Sequence, residues 1–378
     1  MKILVLKCNT GEGHNSVAAA IQESARENGD VCDITDALSF LSERASEFIC
    51  SWHVRLYRYA PKFYGSGYRL AEAHPSAFDP SSPVYKFLAS GTGKLRAYIH
   101  AGGYDCVVCP HVIPSLMLTV MLSERPEPEL VTCNIATDYT CSPMTGESGL
   151  DRYFVPDGSV VPEFVSAGVP ENRIVVIDGI PVRREFYKKT EKKAARRALG
   201  IPEDGAHLLM MFGSMGCGPM QRLTELLDAA MPAGACATVV CGTNQELEHR
   251  LGRQYAGSGR IRVMGYAENV SGLMDSADLF LTKPGGISTS EAAVKGLPMA
   301  LMDTVSACEE YNMRLFCARG GAVTADTPEE LAYICRRLLE DPGKLKKMSK
   351  ALMRRDNAAD QVCRALREAR REQEGTGT

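Results

Sequence analysis

The sequence predicts an α/β protein of two domains, each a parallel sheet covered by helices, and three observations lead there. At 378 residues the chain exceeds what one hydrophobic core usually serves. Short apolar runs alternate with longer stretches of helical period, which is the pattern of βαβ units. That alternation restarts after a charged break near residues 180–200, where proline, arginine, lysine and glutamate replace core residues.

The elements follow in order. Residues 3–6 form an apolar strand, a glycine turn comes next, and residues 16–28 run in helical period. Further strand-like runs at 106–109, 130–136, 153–155 and 174–177 complete a first parallel sheet. A charged helix at 191–199 leads into a second series at 207–211, 237–240, 261–263, 279–281 and 299–301. The first domain is expected over 1–185 and the second over 186–355. The final helices, from Thr327 to about Arg371, are highly charged, and the helix and tail at 356–378 are the candidate to cross back onto the first domain.

Composition narrows the function. The content of 45% hydrophobic and 24% charged residues is that of an ordinary globular protein. A net charge of -3 gives no basic footprint for nucleic acid, so none is expected as a partner. Fourteen cysteines are scattered along a chain that opens without a secretory signal, which points to reduced thiols and a cytoplasmic location. Cys106 and Cys109 form a CxxC, but strand alternation sends i and i+3 to opposite faces, against a chelate or redox pair. The apolar stretch at 112–122 contains Pro114 and is too short to span a bilayer, so membrane contact is expected to be peripheral.

One segment, about 40–98, stands apart. It holds 12 of the 26 aromatic residues, and between 49 and 71 there are Arg55, Arg58, Lys62 and Arg69 with no acidic residue. Trp52, Tyr57, Tyr59, Phe63, Tyr64 and Tyr68 interleave with those cations, a mixture suited to anionic headgroups above acyl chains. Trp52, Arg55, Arg58, Lys62 and Phe63 are therefore the candidate contacts with an anionic membrane surface. A helical excursion whose aromatics pack on their own domain fits the same pattern.

The strongest motif is Lys283-Pro284-Gly285-Gly286-Ile287-Ser288-Thr289-Ser290-Glu291, which follows a strand and opens a helix. Glycines there let the backbone approach a ligand, and free amides with the helix dipole attract phosphate. Ser288 and Thr289 are expected to add hydroxyl donors and a helix cap. Glu291, one turn in, is placed to accept hydrogen bonds from a ribose diol. The spacing is neither that of a P-loop nor GxGxxG, and a purely structural turn can also carry it.

These residues, with Gly11-Glu12-Gly13-His14 after the first strand, Thr137-Asp138-Tyr139 and Gly179-Ile180-Pro181-Val182, resemble the monogalactosyldiacylglycerol synthase and processive diacylglycerol glucosyltransferase family. The resemblance covers nearly the whole chain. That family is a sister of the murein N-acetylglucosaminyltransferase, and the resemblance implies the GT-B fold, two Rossmann-like domains whose parallel sheets face a cleft. It also implies inverting transfer of a hexose from a UDP-sugar to a lipid acceptor such as diacylglycerol at the inner membrane face. No cofactor and no metal are expected, the UDP-sugar being a co-substrate. The second domain would hold the donor: Gly213, Ser214 and Gly216 against the diphosphate, Gly265 and Tyr266 reading the uracil, and Glu309, Glu310 and Asn312 touching sugar hydroxyls. Lys283, Gly285, Gly286, Ser288, Thr289 and Glu291 complete that set.

In the first domain, Gly11, Gly13, His14 and Asn15 resemble the family's acceptor-side loop. His14 and Asp138 are the two candidate bases for the acceptor proton, a task a neutral imidazole suits. The family often continues its Thr-Asp-aromatic motif with His and then Trp, whereas Ser142 and Thr145 stand here, which leaves the acceptor open. Two other readings stay on the table: a UDP-N-acetylglucosamine-using enzyme, either a 2-epimerase or a lipid-linked transferase, and a non-catalytic UDP-sugar sensor.

Overall fold

Two six-stranded parallel sheets account for the apolar runs. The computed structural model describes residues 1–8, 12–41, 79–302, 307–352 and 356–376; Gly11 and the candidate membrane residues Trp52, Arg55, Arg58, Lys62 and Phe63 lie outside them. The chain divides into two units. Unit 1 holds Met1–Arg184, Val305–Cys308 and Asp356–Thr378, and unit 2 holds Glu185–Thr304 and Glu309–Arg355.

The first stretch of chain runs β1 (Lys2–Lys7), α1 (Glu12–Glu27), β2 (Val31–Asp36), α2 (Pro83–Gly102), β3 (Cys106–Cys109), α3 (Val112–Glu124), β4 (Val131–Ile135), β5 (Arg152–Val155), α4 (Val161–Ser166) and β6 (Ile174–Val176). The second runs α5 (Lys192–Leu199), β7 (His207–Met211), α6 (Met220–Ala230), β8 (Cys236–Val240), α7 (Gln245–Gln254), β9 (Ile261–Met264), α8 (Val270–Ser276), β10 (Leu279–Thr282), α9 (Gly286–Lys295), β11 (Met299–Leu301), α10 (Ala307–Ala318), β12 (Ala322–Thr324), α11 (Pro328–Leu339) and α12 (Pro342–Leu352). The terminal helix is α13 (Ala358–Thr376).

In unit 1 the strand order is β2-β1-β3-β4-β5-β6, with Ile3 beside Cys32 on one side and Cys106 on the other. The central strands are buried on both faces, as a helix-covered parallel sheet requires, and every residue of β3 and β4 is buried. Cys106 and Cys109 therefore sit in the core, and burial pushes the Cys106 thiol up to about 12, which keeps it protonated and inert. Helix α13 carries many charges yet belongs to this unit, because Ala358, Val362, Cys363 and Leu366 recur at helical spacing and are fully buried. Its polar flank is tied down by Arg367 to Asp30 at 2.6 Å and by Asp360, which accepts from Ser24 and Arg184.

In unit 2 the order is β12-β11-β10-β7-β8-β9. Leu208, Met210, Leu279, Leu281 and Ala300 form its fully buried centre. Two edge strands, β2 and β12, were not foreseen: β2 (VCDITD) mixes polar with apolar residues and is mostly half-buried, and β12 has three residues. Among the described residues no helix is long and apolar enough to cross a membrane.

Candidate functional site

In each sheet the winding reverses once, and the carboxyl ends of the strands on either side of such a reversal are where α/β proteins bind ligands. In unit 2 the reversal lies between β7 and β10, so the loop after Met211 and the Lys283 turn are neighbours. Thr282 Oγ1 donates to Met211 O at 2.6 Å and ties the two together at their base.

The loop after β7 depends on glycine. Gly213 has φ +70° and Gly216 has φ +55°, in the left-handed region where a side chain is strained. A Cβ on Gly216 would fall 1.9 Å from Cys241 O, and one on Gly213 would meet the Lys283 side chain at 3.0 Å. Gly242 and Asn244, in the turn after β8, were missed in the sequence although they fix this loop. A Cβ on Gly242 would strike Ser214 O, and Asn244 Nδ2 donates to Gly216 O at 2.9 Å. Only the register of adjacent strands makes these contacts evident.

The Lys283 turn leads straight into α9. Gly285 is the N-cap residue, in extended conformation and with no side-chain cap, so the expectation that Ser288 and Thr289 cap the helix is corrected. Both lie inside its first turns. Thr289 is fully buried, and its hydroxyl donates to Gly285 O at 2.9 Å, bracing the turn instead of presenting a donor to solvent. The first amides of any helix lack an intrahelical acceptor, an arrangement that favours an anion.

Over this turn lies an ion pair between Lys283 Nζ and Glu309, both largely shielded from solvent. A Cβ on Gly285 would come within 3.3 Å of Lys283 Nζ and 3.7 Å of a Glu309 oxygen, so the glycine makes room for the pair. Asn312, fully buried on α10, donates to Pro284 O at 3.0 Å. The structure thus brings Gly213, Lys283, Gly285, Glu309 and Asn312 together. Glu291, 7% exposed, is one turn into α9, and Glu310 is half-buried on α10 and pairs with Arg314 at 3.7 Å. Gly265 is packed against the Glu248 carboxylate, and Tyr266 beside it is 61% exposed at the end of β9, on the outermost strand of the sheet.

In unit 1 the reversal lies between β1 and β3, and it brings the start of α1 beside the turn after β3. Gly13, His14 and Asn15 are in the first turn of α1. Asn15 Oδ1 accepts from Lys7 Nζ at 2.6 Å, which anchors that turn to the end of β1. His14 Nδ1 lies 2.8 Å from Pro110 O. A carbonyl oxygen can only accept, so Nδ1 carries the proton and in the neutral ring the basic lone pair is on Nε2. Edge-on to the His14 ring is His111, a residue the sequence reading passed over, at 4.6 Å between centroids.

Asp138 is half-buried on the loop after β4, the strand beyond β3. That loop is held by Glu163 of α4, whose Oε2 accepts from Thr140 Oγ1 at 2.8 Å and from Cys141 N at 3.1 Å. Among the described residues no group of three or more His, Cys, Asp and Glu is placed to hold a metal ion.

The sequence pattern of the monogalactosyldiacylglycerol (MGDG) synthase family matches residues 14–182. A processive diacylglycerol β-glucosyltransferase of Staphylococcus saprophyticus is 26% identical over 356 residues, covering 93% of this chain and 88% of that one. Among solved structures, Acinetobacter baumannii MurG superposes with a TM-score of 0.66 at 13% identity, covering 97% of this chain and 99% of that one. The UDP-GlcNAc 2-epimerase of Neisseria meningitidis, bound to UDP-GlcNAc, does so with a TM-score of 0.61 at 13% identity, covering 97% and 99%. Residues 14–182 thus carry the MGDG synthase pattern, and the chain along most of its length is similar to the processive diacylglycerol glucosyltransferases, with the GT-B fold.

Proposed function

We propose that this chain is an inverting glycosyltransferase that moves a hexose from a UDP-sugar to the hydroxyl of a lipid such as diacylglycerol. The observation that carries the donor half is the Lys283–Glu309 pair above the amide-lined turn into α9, at the point where the winding of the sheet reverses. Such a turn suits a diphosphate, with Lys283 as a point charge and the carboxylates and amide of Glu309, Glu310 and Asn312 suited to vicinal hydroxyls. Gly213, Ser214 and Gly216 give the diphosphate a second backbone wall, Gly265 and Tyr266 receive the base, and Glu291 accepts from the ribose.

In unit 1 the base is His14. Its Nε2 takes the acceptor hydroxyl's proton while the oxygen forms a bond to the anomeric carbon, and the bond from that carbon to the diphosphate breaks with its electron pair leaving on UDP. The developing charge is stabilised by the amides at the start of α9 and by Lys283. Asp138 is the alternative base or an orienting group. Because fixed dipoles and a lysine supply the positive charge, the reaction requires no metal, and activity should survive EDTA.

The acceptor half rests on relatives named for diacylglycerol glucosyl transfer. It agrees with peripheral binding to an anionic membrane at the cytoplasmic face, through the aromatic and basic residues near Trp52 and Arg55.

The deciding experiment is a panel of UDP-sugars with and without membrane lipid extract, read by UDP release and by mass spectrometry of the lipids. Transfer predicts UDP release with a lipid product carrying one or more added hexoses, and neither without lipid. Epimer formation from a UDP-sugar alone would replace this reading with a 2-epimerase, and tight UDP-sugar binding with no turnover would leave a sensor.

A further inference from the structure

We propose that His111 is a positioning residue for His14: it locks the plane of the His14 imidazole so that Nε2 meets the acceptor hydroxyl. This rests on the reading of His14 as the base. The strand order β2-β1-β3 sets the first turn of α1 against the turn between β3 and α3. That turn touches the His14 ring twice through consecutive residues. Pro110 O accepts from Nδ1 at 2.8 Å, which fixes the tautomer. The His111 ring stands 4.6 Å away between centroids and at 85° to the His14 ring, where it is a steric stop against rotation of that ring's plane.

His111 can serve as a stop because it is itself anchored. It is the N-cap residue of α3, and its Nδ1 accepts from Ile113 N at 3.1 Å, an acceptor role that puts its own proton on Nε2 in the neutral ring. Its carbonyl accepts from Ser115 Oγ at 3.1 Å. Ser115 Oγ in turn accepts from the buried Asn134 Nδ2 at 3.0 Å, and that amide also donates to Cys109 O at 3.2 Å, so the turn is stitched to β3 and β4. The capping role alone would be met by Asn, Asp or Ser, which are the better N-caps. The edge-on contact with His14, by contrast, needs a ring.

The two roles separate by substitution. His111→Asn keeps a capping acceptor and removes the ring, whereas His111→Phe keeps a ring and removes the cap. Assayed as the full chain with UDP-sugar and lipid vesicles, His111→Asn should retain the melting temperature and the KM for the UDP-sugar while kcat falls about 10- to 100-fold, the scale of a slightly misplaced catalytic group. His111→Phe should melt lower but keep more of kcat than His111→Asn. In a double-mutant cycle, adding His111→Asn to His14→Gln should cause no further fall, since an orienting residue matters only while there is a ring to orient.

Wild-type kcat in His111→Asn beside an inactive His14→Gln would sink the positioning role and leave the base intact. Full activity in His14→Gln would sink the base reading itself. Should His111→Asn fail to fold, a kcat in His111→Phe as low as that of His14→Gln would overturn the proposal.

Discussion

At single positions, backbone freedom and one ion pair dominate. Gly216 combines φ +55° with a carbonyl 1.9 Å from where a Cβ would stand, so Gly216→Ala cannot be absorbed by a flexible neighbour. It should weaken UDP binding at least about tenfold by calorimetry, with a smaller loss in thermal stability, because the strain falls on a loop and not on the core. Gly213→Ala meets only the Lys283 stem and should cost less. Lys283→Met removes a charge above the turn and leaves the buried Glu309 without that partner, so it should raise the KM for the UDP-sugar about 10- to 100-fold, as expected for a lost charge-assisted bond. An unchanged KM would remove the diphosphate from that turn.

At the level of elements, α9 is held from its far end. Lys295 Nζ is buried, pairs with Asp275 at 2.8 Å and donates to Lys188 O at 2.6 Å. Lys295→Met leaves Asp275 charged and buried, and should cost about 3–5 kcal/mol in urea unfolding, whereas pairing it with Asp275→Leu should recover much of that loss. Strand β7 carries a pH signature. His207 is fully buried, bonded to Ser276 O at 3.1 Å and Thr238 Oγ1 at 2.9 Å, and burial, helped by the Arg196 charge, lowers its pKa from 6.5 to about 4.

The unfolded chain therefore binds a proton that the folded chain refuses between about pH 6.5 and pH 4. The stability contributed by neutral His207 is complete above 6.5 and is lost as the pH falls toward about 4, up to about 3 kcal/mol. Urea midpoints at pH 7.5 and 4.5 should differ more for the wild type than for His207→Gln; equal differences would show that other groups govern the decline.

For the whole molecule, the membrane claim is the broadest prediction. The chain should co-sediment with anionic vesicles, and reversing the charges of Arg55, Arg58 and Lys62 should weaken this, as should salt, since exposed charges are screened over about 10 Å at moderate ionic strength. Equal binding by the reversed variant would return the segment to a purely internal packing role.

The two parallel sheets were legible because their central strands are apolar on both faces: 106–109, 207–211 and 299–301 read as strands and are strands. Strands β2 and β12 were not: β2 (VCDITD) interrupts its apolar residues with Asp33, Thr35 and Asp36, and β12 is three residues long, whereas the other two edges, β6 and β9, kept enough apolar residues to be read. The glycine loop and the Lys283 turn were visible as chemistry, because amides and a cation near a helix start suit phosphate wherever they occur. Their adjacency was not, nor was the pairing of Lys283 with Glu309 or the meeting of His14 with His111, residues 97 positions apart in the chain. Local composition determines which segments become strands and which turns can hold an anion. Strand order, set by burial summed over the whole sheet, decides which of those turns stand side by side.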